Sequence, residues 1–213
     1  MDEISTDYGW SKEYNNSPDY LISSLNDILP AYLNNNDLIL DAGCGGGQLL
    51  NILYEKEYSN LRGFDVSLSG ISVVKEMYSH LENLVAVHDG YNKILPKEFQ
   101  QNDYDLVLSV EVIEHLYNPG VYLDNIYYWL KQGGYLIIST PYHGYLKNLS
   151  ISLMNKHDLH YDPLWNGGHV KFFSKNTLTR ILKSSGFEIV DFIGSGRIPF
   201  LWKSMIIIAK KNK

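Results

Sequence analysis

One stretch constrains this chain more than any other. Leu38-Ile39-Leu40 runs into Asp41-Ala42, and Gly43-Cys44-Gly45-Gly46-Gly47 then leads into Gln48-Leu49-Leu50-Asn51-Ile52-Leu53-Tyr54. The apolar triplet reads as a short buried strand, and the last segment has the composition and period of a helix. Glycine lets the backbone between them turn tightly and approach a ligand closely. The helix that follows aims its free N–H groups at the same place. Strand, glycine loop and helix open a βαβ unit.

The alternation continues downstream. Leu61 to Phe64 reads as a strand closing on Asp65, and Ser67 to Tyr78 as a helix with Ile71, Val74 and Met77 inward. Leu84 to Val87 is a third strand ending at His88-Asp89, and Asp105 to Val110 a fourth, apolar enough to be buried on both faces. Asn118-Pro119 begins a helix predicted to reach Leu130 and to stop at Gly133, and Tyr135 to Ser139 is a fifth strand ending in Thr140-Pro141. From Tyr142 to Phe173 the alternation breaks. Ser174 caps a helix to Ser185, and Phe187–Ile193 and Trp202–Ala209 finish as strands whose link is too brief for a crossover helix, so the pair should be antiparallel. Upstream, Ser17-Pro18 starts a helix to Leu29. The pattern predicts an α/β fold: a seven-stranded, mostly parallel sheet with an antiparallel C-terminal strand and helices on both faces.

Ligands of open α/β sheets bind outside the carboxyl ends of the strands, where the strand order reverses. Asp41, Asp65, Asp89 and Glu111 all fall at that edge. Two ligand classes use a glycine loop there, and spacing separates them. Gly43, Gly45 and Gly47 give G-x-G-x-G, whereas the dinucleotide fingerprint needs its third glycine one residue later. Asp41, just before the turn, would repel a pyrophosphate but attract the ammonium group of a sulfonium amino acid. Asp65, 24 residues after Asp41, is placed to accept both ribose hydroxyl protons. Asp89 with Gly90 reads either as a receiver of an adenine amino group or as a plain Asp-Gly turn. Cys44 reads as a small apolar residue that fits a tight turn.

With these motifs in view, residues 38 to 187 resemble the class I S-adenosylmethionine-dependent methyltransferases, in the ubiquinone-biosynthesis O-methyltransferase-like branch. The segments that carry the resemblance are Leu40 to Gly47, Tyr104-Asp105-Leu106-Val107, Glu111-Val112-Ile113-Glu114-His115-Leu116, Ser139-Thr140-Pro141 and His169-Val170-Lys171-Phe172-Phe173-Ser174. The resemblance implies a Rossmann-like fold and S-adenosyl-L-methionine as cofactor. In it Gly43 to Gly47 hold the methionine end, Asp65 the ribose and Asp89 the adenine, with Cys44, Gly90 and Glu111 beside them. It also implies an N-terminal lid around Tyr8, Trp10 and Tyr14, and a divalent metal such as Mg2+ held by residues matching Glu111, Glu114 and His115. The chain then divides into a lid and helix (1–36), a cofactor-binding core (37–141), a substrate-covering insertion (142–173) and a C-terminal helix with two strands (174–213), all one domain. The resemblance departs from Tyr142 to Trp165, which does not align with a quinone pocket.

Methyl transfer from a sulfonium is an in-line displacement, so the protein must mainly align its reactants, with a base near an attacking hydroxyl. Glu111, Glu114 and His115 are spaced i, i+3, i+4, and a helical turn would put them on one face. There they suit a cation site, or His115 as a base, or a brace for the following helix. His143, just after the fifth strand, is the best single candidate for the base. Tyr142, Trp165, His169 and Phe173 are candidates for an aromatic acceptor pocket, and His160 reads as an ordinary surface residue.

The expected activity is methyl transfer to a small-molecule acceptor, on a hydroxyl of a quinol, phenol or sugar-like compound. The alternatives are an RNA or protein methyltransferase and a non-catalytic cofactor-binding subunit. Ser109-Val110-Glu111-Val112 stands where base-amine methylases often carry an Asn/Asp-Pro-Pro-Tyr loop. A net charge of −6 disfavours a general nucleic-acid binder. A lone cysteine, no apolar run of membrane-spanning length and no basic-then-apolar leader fit the cytoplasm. Nothing in the sequence sets an oligomeric state.

Overall fold

The structure, a computed structural model, describes residues 7, 9–13, 17–165 and 167–212. Seven strands form one sheet in the order β3-β2-β1-β4-β5-β7-β6. They are β1 (Leu38–Ala42), β2 (Asn60–Asp65), β3 (Val85–Val87), β4 (Tyr104–Val110), β5 (Leu130–Pro141), β6 (Phe187–Ser195) and β7 (Ser204–Lys211). Pairing is parallel from β3 through β5, and β7 runs antiparallel to both of its neighbours. The helices are α1 (Asp19–Ile28), α2 (Gln48–Glu55), α3 (Leu68–Met77), α4 (Pro119–Trp129), α5 (Tyr145–Leu153), α6 (His157–Tyr161) and α7 (Lys175–Ser184). The predicted α/β sheet, with its antiparallel final strand, is what forms.

Alternation along the strands sends side chains to two separate cores. Ile39, Leu106, Leu108, Ile137, Ile206 and Ile208 pack with Leu21 and Leu25 of α1, Leu50 and Leu53 of α2 and Ile71 and Val74 of α3. Their neighbours Leu40, Val107, Leu136, Ile138 and Ile207 face the other way, against Leu123, Ile126 and Trp129 of α4 and Leu178 and Leu182 of α7. Both faces are therefore covered, as the apolar runs of β4 and β7 require. The strand order reverses between β1 and β4, which opens a crevice at their carboxyl ends.

Two boundaries differ from expectation. The helix begun at Pro119 ends at Trp129, and β5 starts at once with Leu130 pairing Tyr104. Gly133, with φ +79, serves a shift of register between Tyr104 and Leu106 rather than a helix stop. Between Tyr142 and Phe173 the chain forms α5 and α6 rather than a bare loop. At α7 the expected cap is a full capping box, with Ser174 and Thr177 bonded reciprocally.

Candidate cofactor and acceptor site

At the carboxyl edge of β1 the chain makes a cradle. Gly43, Gly45 and Gly47 adopt φ of +91, +50 and +79. A Cβ on Gly43 would stand 2.4 Å from Val112 Cγ2, and one on Gly45 2.7 Å from the Trp10 ring. Gly43→Ala thus meets both a stiff β-branched neighbour and a backbone region closed to alanine. It is expected to cost about 2–4 kcal/mol and lower Tm by roughly 5–15 °C, which calorimetric melting would read. An unchanged Tm would mean the loop is not this tight.

Asp65, 8 % exposed at the end of β2, ties the loop to the next helix. Gly45 N–H donates to its Oδ2 and Ser67 N–H to its Oδ1, both at 2.8 Å. Asp41, 2 % exposed, lies beneath the same loop. Burial, and then the neighbouring Asp65, push its carboxyl up to about 7. Burial also raises Asp65, against the pull of the two amide hydrogens. Two buried acids beside a glycine cradle are what a cationic ligand needs, and the sulfonium amino acid fits that charge. Cys44 packs into the core beside Leu50, as a small apolar residue should. Asp89 is exposed and accepts from Tyr91 N at 2.9 Å, the arrangement of a turn. Asn125, which sequence reasoning missed, donates to Gly90 O at 2.9 Å and fixes that turn to α4.

The segment before α1 crosses this edge. The Trp10 ring lies on Gly45 and Gly70, its backbone N–H donates to Ser69 Oγ at 3.0 Å, and Asp7 accepts from the Ser67 and Ser69 hydroxyls. Tyr8 and Tyr14, the other residues expected in a lid, fall outside the described residues.

The acids after β4 do not share a face. Glu111 has φ +55 and precedes a three-residue 3-10 turn, Ile113–His115, so the assumed α-helical spacing fails. Glu111 accepts from Ser139 Oγ at 2.8 Å and Ser204 Oγ at 3.3 Å, while Glu114 accepts from Thr140 Oγ1 at 2.9 Å. Burial pushes Glu111 up to about 7, and burial together with Glu111 holds Glu114 well above the usual carboxylate range. The residue that joins Glu114 and His115 is His169, with ligand atoms of the three within 4.8 Å of one another. One carboxylate and two imidazoles are not the oxygen-rich octahedral set that Mg2+ demands. The expected Mg2+ site of Glu111, Glu114 and His115 is therefore corrected on both its ligands and its metal. His115 Nδ1 donates to Gly167 O at 2.8 Å, and Trp165 stands edge-on to both His115 and His169.

The other acceptor candidates separate. Tyr142 and Phe173 are 8 % exposed and belong to the core, Tyr142 packing edge-on against Trp202. Their places at the ends of the insertion make them anchors rather than pocket walls. His143 lies between two cavities, one of about 430 Å³ lined with Tyr161 and Phe172, the other of about 320 Å³ beside Glu111. His169 and His160 also line the second cavity, which corrects the reading of His160 as a surface residue. Burial, and then Lys147, bring His143 down to about 4, so its imidazole is neutral at pH 7. Tyr20, Pro141, Lys147, Arg197, Lys203 and Ser204 complete the second cavity, and the sequence marked none of them as a site residue.

The sequence pattern of a family described as a methyltransferase domain matches residues 14–191. The chain belongs to that family. This methyltransferase-family chain is 27% identical over 156 residues to a ubiquinone biosynthesis O-methyltransferase of Coxiella burnetii, an alignment covering 73% of the chain and 65% of that relative. It is 31% identical over 157 residues to a malonyl-acyl-carrier-protein O-methyltransferase of a Marinomonas species, covering 70% of the chain and 56% of the relative. The match thus spans somewhat under two thirds of the length of these relatives. Among solved structures, magnesium protoporphyrin IX methyltransferase from Synechocystis with bound SAH aligns with TM-score 0.68 at 19% identity, over 90% of this chain and 82% of that one. The cyclase SpnF aligns with TM-score 0.70 at 15% identity, over 98% and 88%. At these identities the likeness is one of fold: a class I, Rossmann-like sheet. No helix among the described residues is long and apolar enough to cross a membrane.

Proposed function

We propose that this chain transfers a methyl group from S-adenosylmethionine to an oxygen of a small-molecule acceptor. The observation that carries the reading is the cavity of about 320 Å³ bordered by Glu111 and His143, at the same sheet edge as the glycine cradle. Its size suits a small ligand rather than a polymer surface. The O-methyltransferase names of the relatives support the choice of oxygen.

When bound, the cofactor supplies an electrophilic methyl on a sulfonium sulfur. Asp41 and Asp65 would hold its charge and ribose, and Gly43 to Gly47 would let the backbone close on it. The cavity beside Glu111 and His143 would hold and orient the acceptor, which is most of what a displacement reaction asks of the protein. As the oxygen–carbon bond forms, the carbon–sulfur bond would break, S-adenosylhomocysteine would leave as a neutral thioether, and the hydroxyl proton would become strongly acidic. The neutral imidazole of His143 receives it, and the larger cavity on its other side leads the proton to solvent. Because a protonated oxygen carrying a new carbon is far more acidic than imidazolium, a base near 4 suffices.

Incubating the protein with methyl-labelled S-adenosylmethionine and separate pools of phenols, sugars and RNA tests the reading. Label in an ether or ester of a small molecule is expected. Label found only in RNA or protein, or in nothing, overturns it.

A further inference from the structure

The cavity beside Glu111 gathers positive charge in a chain whose net charge is −6. Lys147, 4 % exposed on α5, donates from Nζ to Lys203 O at 2.9 Å, which occupies one of its three N–H groups. Arg197 enters from the turn between β6 and β7, and Lys203 holds its Nζ over the Tyr20 ring, 4.8 Å from the centroid. Among the described residues no carboxylate comes within ion-pair distance of Lys147, Arg197 or Lys203. The one acid in the wall, Glu111, is already bonded to the hydroxyls of Ser139 and Ser204. Glu111 acts on Lys147 only through the field across the cavity, beyond ion-pair distance, and a buried lysine without a paired carboxylate is costly to keep. Arg197 is also held at φ +73, a left-handed conformation that disfavours any residue bearing a side chain. Burial, and then the charge of Arg197, bring Lys147 down to about 8, so it still carries its proton at pH 7.

We infer that the acceptor is an anion, whose carboxylate or phosphate group is gripped by Lys147 and Arg197 while its reacting oxygen faces Glu111 and His143. This rests on the cavity being the acceptor site of the proposed methyl transfer. The guanidinium presents a planar fork of donors to an oxyanion, and the ammonium adds a point charge from the buried side. The three imidazoles in the wall contribute hydrogen bonds to the rest of the molecule.

The test is calorimetric titration of the full chain saturated with S-adenosylhomocysteine, using inorganic phosphate, malonate and the neutral malonamide as separate probes. Saturable binding of at least one anion, and none of malonamide, is expected. Arg197→Asn and Lys147→Met should each weaken it about tenfold or more. Preference for phosphate or for malonate tells a phosphorylated acceptor from a carboxylated one. Arg197 is exposed, and asparagine tolerates its φ, so that variant decides the matter if Lys147→Met does not fold. Equal binding of malonamide, no saturable anion binding, or binding unchanged in Arg197→Asn overturns the proposal. If S-adenosylhomocysteine does not bind, the methyltransferase reading falls, and the same titrations on the free chain still decide the anion site.

Discussion

Replacing His143 by phenylalanine is expected to lower turnover by about 10²- to 10⁴-fold while leaving affinity for S-adenosylhomocysteine within twofold of the parent. The imidazole stands between the two cavities, ringed by His160, Tyr161 and Phe172, and phenylalanine preserves that aromatic packing. The backbone bond from His143 N to Phe173 O is untouched by the change, so the start of the insertion stays anchored. A loss confined to turnover identifies the proton acceptor. Full turnover in the variant would move the base to Glu111, which faces the same cavity and is held near neutrality by burial.

The second large effect is a proton released on cofactor binding. In the free protein Asp41 sits at about 7, raised by burial and by Asp65. A ligand bearing ammonium and sulfonium charges favours the ionised carboxylate and pulls that value down. Between the lowered value and about 7, binding must therefore expel a proton, and affinity must rise with pH until about 7 and then level off. Calorimetry at pH 6 in buffers of different ionisation enthalpy would show close to one proton released, and at pH 8.5 almost none. Asp41→Asn should remove the part of the pH dependence that ends near 7 and weaken binding about 10- to 100-fold. The same group bears on stability. The unfolded chain ionises Asp41 near 3.8 while the folded chain keeps it protonated to about 7, so its contribution to stability falls as pH rises across that window. Proton uptake on binding, or none at pH 6, would show that Asp41 does not face the cofactor's charge.

What the sequence revealed and what it hid follow from the range of the interactions. Strand β1, the glycine loop and α2 are set by local period and by positive φ, so residues 38 to 55 announce themselves. Asp65 was legible because a strand must end before it and a helix begin after it. The misreading of Glu111, Glu114 and His115 arose from assuming α-helical spacing across a residue that turns left-handed. Glu111 consequently faces Ser139 and Ser204, and His169 takes its place beside Glu114. The cavity beside Glu111 was hidden for another reason. Tyr20, Glu111, Lys147, Arg197 and Ser204 come from α1, the end of β4, α5, the β6–β7 turn and β7, and only tertiary packing joins them. Lys147 did leave a trace: it precedes Ile151 by four residues, and the two share the buried side of α5.

The central claim, a sulfonium cofactor on the Asp41–Gly47 loop, is tested most directly by titrating the full chain with S-adenosylmethionine and S-adenosylhomocysteine in a calorimeter. The account predicts saturable one-to-one binding of both, weakened at least tenfold in Asp65→Ala, which removes the carboxylate proposed to accept from the ribose and frees the Gly45 and Ser67 amides. Absence of binding heat for either compound, or binding indifferent to Asp65→Ala, would contradict it.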